Sequence, residues 1–135
     1  MGQLPVISDG GLILRDAQAI LVYLASKYDK ANKWYNVNDP EMLGSVSQWL
    51  AFGDSMTSSA SAARLHDTLF YNNFDIDKCR ETAHSQFRIL DEHLFFQEEL
   101  GCNWIYKGEC PSIADIACFR YVALAEEGGL SRMSY

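Results

Sequence analysis

Leu4-Pro5-Val6-Ile7-Ser8, Asp9-Gly10-Gly11, Leu12-Ile13-Leu14-Arg15 and Asp16-Ala17-Gln18-Ala19-Ile20-Leu21 run on without a gap and change period halfway along. The first half reads as two short strands joined by a glycine-containing turn. From Asp16 the spacing becomes helical: Ile20, Leu24 and Tyr28 recur every four residues with Leu21 and Ala25 beside them, which predicts a helix ending near Asp29. This hairpin is the only strand signal in the chain. The fold class is therefore mainly α with a short β-hairpin.

Beyond it, residues 30–38 are polar apart from Trp34 and Tyr35 and read as a linker. Asp39-Pro40-Glu41 then supplies a capping carboxylate, a proline in the first turn and an early acid, the marks of a helix start. Leu43, Val46, Leu50, Gly53, Thr57 and Ala60 alternate steps of three and four. The helix is predicted to run some twenty residues past Gly53, with Gly53 as the place where it bends. Asp75 or Asp77 caps a third helix with an apolar stripe from Ile76 through Cys79, Ala83, Phe87 and Leu90 to Leu94. A turn near Tyr71-Asn72-Asn73 makes the two helices an antiparallel pair.

Ser112 stands three residues before Asp115, the spacing at which each side chain can accept from the other's backbone amide. Pro111 and Ile116 flank this cap as an apolar contact, and Gly128-Gly129 supplies the stop. Residues 113–125 are apolar nearly all round, which predicts a centrally buried helix. Arg120 within it needs a partner, Asp54 or another nearby acid, with a role in a site as the alternative. The small residues from Ser58 to Ala63 either leave space for a substrate or let a neighbouring helix come close. Trp49, Phe52 and Met56 form a second stripe suited to core or dimer packing.

The totals limit the function classes. A chain of 135 residues with 48% hydrophobic and 21% charged residues is an ordinary globular composition for one compact domain. Its net charge of -7 argues against a phosphate-backbone partner, so no nucleic acid is expected. No apolar run is long enough to cross a bilayer and the first residues lack the order of a secretory signal, which makes the cytoplasm the expected location and a membrane an unexpected partner. Cys79, Cys102, Cys110 and Cys118 form no C-x-x-C pair, and His66, His84 and His93 are scattered. Free, mostly buried thiols, surface histidines and no metal are the expectation.

Three of these stretches together resemble the cytosolic glutathione transferase family. Gly2-Gln3-Leu4-Pro5-Val6 resembles the family segment in which a proline following a cis peptide bond opens a strand, and Leu14-Arg15-Asp16-Ala17-Gln18-Ala19-Ile20-Leu21 is similar to the acid-serine turn that opens the next helix. Pro111-Ser112-Ile113-Ala114-Asp115-Ile116-Ala117 resembles the capping motif of the family's all-helical domain, and Tyr121 to Gly129 looks like bacterial members.

The resemblance implies a partial thioredoxin-like domain (hairpin plus helix) at residues 1–30, a linker at 31–38 and an incomplete helical C-terminal domain at 39–135. It also implies glutathione as co-substrate and a small electrophile as second substrate. The backbone of Leu4, before Pro5, would pair with the cysteinyl part of the tripeptide. Asp16 and the amide of Ala17 would receive its γ-glutamyl end, since a helix amino terminus suits a carboxylate. Ala17 stands where the family has serine, so one hydroxyl contact is missing. Ser112 and Asp115 are structural in this reading. The strand-helix-strand unit that carries the thiolate-stabilising residue, and the last helices, have no counterpart, so activity of this chain alone is in doubt and no catalytic residue is assigned. The uncovered hairpin edge and the first two helices imply a homodimer. The alternative function is a non-catalytic dimerising or interaction module with the same fold.

Overall fold

The computed structural model describes residues 4–69 and 75–131. Strands β1 (Val6–Asp9) and β2 (Leu12–Arg15) pair antiparallel, with Val6 opposite Arg15 and Asp9 opposite Leu12. The two residues between them, Gly10 and Gly11, have φ of 56° and 90°. A two-residue turn with both φ positive matches the twist of the flanking strands and favours residues without a Cβ. Helices follow: α1 (Ala17–Tyr28), α2 (Pro40–Ser55), α3 (Ala60–Leu69), α4 (Ile76–Glu99) and α5 (Ile113–Ala123). The mainly helical class with one hairpin is as expected from the sequence.

The hairpin is tied to α1 by one carboxylate. Asp9 Oδ2 accepts from the hydroxyls of Tyr23 and Tyr28, each at 2.9 Å, and from the Lys27 ammonium. These bonds, the one from Lys27 foremost, lower the Asp9 pKa from 3.8 to about 2. Lys27 is raised above its ordinary value by the reciprocal bond to Asp9. A carboxyl whose folded pKa is depressed contributes stability above its unfolded pKa and loses it as pH falls through the folded one. The contribution of Asp9 to hairpin docking is therefore expected to be present above about pH 4 and lost as pH falls towards 2. The protection factors of the amides across Val6–Arg15, each taken relative to the unstructured rate at the same pH, should fall over that window in the native chain. In Asp9→Asn the protection should be lower above about pH 4 and should not change over the window.

Asp39 caps α2 as predicted, its Oδ1 accepting from the amides of Glu41 and Met42. The helix does not run on beyond Gly53 for twenty residues. It ends at Ser55, passes into a 3-10 turn (Met56–Ser58) and restarts as α3. The reason lies in the hydroxyls: Ser55 Oγ donates to the Phe52 carbonyl at 2.6 Å and Ser58 Oγ to the Ser55 carbonyl at 3.1 Å. Such side chains compete with the helical ladder for backbone acceptors. Gly53 is a contact point between the two helices, because a Cβ there would stand 3.4 Å from Ala117 on α5.

The core lies between α2 and α5, with Val46, Met56, Ala114 and Ala117 all but sealed from solvent. Trp49 and Met56 belong to it, and Trp49 meets Phe52 edge-on at 5.0 Å, so that stripe is core packing. Asp75 caps α4 through the Lys78 amide, and its stripe buries Cys79, Ala83, Phe87 and Leu90. The turn placed near Tyr71-Asn72-Asn73 lies outside the described residues. Residues 30–38 are held rather than loose: Tyr35 is buried, and the Trp34 carbonyl accepts from Ile113 at the start of α5.

The Ser112/Asp115 capping box forms in full. Yet α5 is not buried all round: Ile116 is 41% exposed and Phe119 70%. The helix packs on α2 with one face only, and apolar composition alone does not say which faces find a neighbour. The chain then makes a 3-10 turn (Ala125–Gly128) against α3, where a Cβ on Gly128 would stand 3.0 Å from the Arg64 amide nitrogen. Close approach is thus what the buried Ala62 and Ala63 serve.

Candidate functional site

The break between α2 and α3 turns Thr57, Ala60 and Ser61 toward the hairpin, and a cleft of about 480 Å³ opens between them. Leu4, Pro5, Asp16 and Ala17, the four residues picked out from the sequence, all line it. The Leu4-Pro5 bond is cis. The volume lies within the usual range of small-molecule sites.

Asp16 is built for two tasks. Its Oδ1 accepts from the amides of Gln18 and Ala19, both at 2.9 Å, which caps α1. Its Oδ2 has no hydrogen-bond partner among the described residues, and the side chain is exposed. Capping and ligand reception are therefore compatible, one oxygen for each. Asp16 also has φ 82° and ψ 126°, a backbone conformation a non-glycine residue rarely holds. Strain of this kind persists only where the surroundings fix it, and it gathers at ligand sites. Here the hairpin on one side and the cap on the other fix it.

The opposite wall comes from the helices. Tyr121, buried on α5, shares a hydrogen bond with Thr57 at 2.8 Å and accepts another from Arg120. The Arg120 guanidinium lies over the Tyr121 ring, 4.5 Å from its centroid. Arg64 forms an ion pair with Glu127. Arg120 is not the buried cation expected from the sequence. It is exposed, its partner is a hydroxyl, and no ion pair joins it to Asp54, although both line the cleft.

Over 35 residues the chain is 46% identical to glutathione S-transferase theta-2 of Mus musculus, and over 33 residues 48% identical to that of Rattus norvegicus. The human theta-2 enzyme is 46% identical over 35 residues. The local likeness is to glutathione S-transferases. These matches cover 24–26% of the chain and only 14% of each relative's length. No family model and no solved structure matches.

The remaining chemistry-bearing residues sit elsewhere. His93 is not a surface histidine: it lies 4.4 Å from the Trp49 ring and its Nε2 is 2.7 Å from the Ile105 carbonyl oxygen. His66 and His84 are half-buried. No group of three His, Cys, Asp or Glu side chains among the described residues is placed to hold a metal ion. All four cysteines are free, and burial foremost, with the Asp115 charge adding, pushes the Cys118 thiol up to about 12. No helix of the described residues is long and apolar enough to cross a membrane. Sequence reasoning missed Thr57, Arg64 and Tyr121 as cleft residues. The one available signal was the hydroxyl-rich break beside them, which redirects α3.

Proposed function

We propose that the chain binds glutathione in this cleft and, as in glutathione transferases, contributes to joining its thiolate to an electrophile. The observation that carries the reading is that Leu4, Pro5, Asp16 and Ala17 line one cleft with the unengaged oxygen of Asp16 at the amino end of α1. The local likeness to theta-2 transferases supports it. In this reading the Leu4 backbone pairs with the cysteinyl unit, Asp16 Oδ2 accepts from the γ-glutamyl ammonium, and the Ala17 amide receives its carboxylate. In the reaction the sulfur forms a bond to carbon and the leaving group departs with its electron pair. The protein's share is to place both reactants. In this reading the setting is the cytoplasm, the chain is a bacterial-type member, and the hairpin edge is available for a homodimer.

Calorimetric titration with glutathione tests the reading. Saturable binding at millimolar concentration or tighter is expected, and Ala17→Ser, which adds a hydroxyl at the carboxylate, should tighten it by up to about tenfold. Heat indistinguishable from dilution in both proteins would remove the assignment. A second reading, a non-catalytic interaction module, draws on Phe95, Phe96, Leu100, Ile116 and Phe119, all large and exposed. Ile116 and Phe119 share one groove with Leu90 and Leu94, and exposed apolar surface of that kind marks contact sites. A concentration-dependent dimer in sedimentation without glutathione heat would favour it.

A further inference from the structure

Building on the proposed glutathione site, we infer that the second reactant is anionic, and that its carboxylate or similar group seats on Arg120. The cleft is lined by Arg15, Arg64 and Arg120 against Asp16 and Asp54, in a chain whose net charge is -7. Three of the 11 basic residues thus meet in one cleft of an acidic protein. Arg64 is already neutralised by Glu127. Arg120 is different: its partners are the hydroxyl and ring of Tyr121, both neutral, and Tyr121 is itself buried and bonded to Thr57. The guanidinium is therefore held in place with its charge unspent, and its other nitrogens have no partner among the described residues. A fixed guanidinium fork suits a planar anion, and little side-chain freedom is lost when one binds.

The two walls divide the ligands. Glutathione takes the hairpin and α1 side, so a group carried on its sulfur extends toward Thr57, Ala60 and Arg120 on the helical side. Asp54 is the carboxylate of that side and works against an anion there. The charge signature is thus of opposite sign at two neighbouring positions.

The test compares S-benzylglutathione with S-(4-carboxybenzyl)glutathione by calorimetry on the unaltered chain. The carboxylated ligand is expected to bind about tenfold tighter. Arg120→Gln should erase that difference between the two ligands, and Asp54→Asn should widen it. Equal affinity of the two ligands for the unaltered chain overturns the anion site and leaves the glutathione reading standing. Failure of both ligands to bind overturns the two together.

Discussion

Asp115→Ala is expected to lower the unfolding free energy by about 2–4 kcal/mol, the largest stability loss among single polar substitutions outside the cleft. Three bonds end on this carboxylate. Oδ2 accepts from the Ser112 amide at 2.8 Å and the Ser112 hydroxyl at 2.9 Å, and Oδ1 accepts from the Ile105 amide at 2.9 Å. The cap alone is worth about 1 kcal/mol. Ile105 is buried, so its amide would be left without a partner away from water, which costs about 1–3 kcal/mol more. Against a total of roughly 5–15 kcal/mol the sum is a serious fraction. Urea unfolding of the two proteins checks it. A midpoint unchanged by the substitution would mean that the box and the Ile105 bond contribute nothing net.

Asp16→Asn is expected to weaken glutathione binding about ten- to hundredfold while leaving stability within a few tenths of a kcal/mol. Asparagine caps a helix as well as aspartate and tolerates positive φ better than most residues. The α1 start should survive. What goes is the negative charge on the oxygen left free for the γ-glutamyl ammonium, and hydrogen bonds to charged groups are the strong ones. The pairing of a lost affinity with an intact melting curve separates a ligand contact from a cap. Full affinity in Asp16→Asn would leave Asp16 a capping residue and nothing more.

Much of this architecture could be read where local chemistry decides it. The change from strand to helix at Asp16, the Asp39-Pro40 start and the Ser112/Asp115 box each rest on backbone amides satisfied within a few residues. All three stand in the structure. The candidate residues Leu4, Pro5, Asp16 and Ala17 fall in one cleft for the same reason, since they bracket one hairpin.

Tertiary choices were less visible. The end of α2 depends on hydroxyls turning back on carbonyls, which the three-and-four spacing of apolar residues does not report. The exposure of Phe119 depends on which face of α5 meets α2. Arg120 looked like a cation in need of an acid because its neighbours in sequence are apolar. Its neighbour in space is a tyrosine hydroxyl.

The interruption at Met56–Ser59 lets one length of chain act first as a pillar against α5 and then as the far bank of the cleft. Register is what joins the two jobs: each residue added to the joint would swing all of α3 by about 100°, exchanging Ala60 and Ser61 for whatever now faces α4. The joint's length, more than any side chain beyond it, sets which shapes can enter.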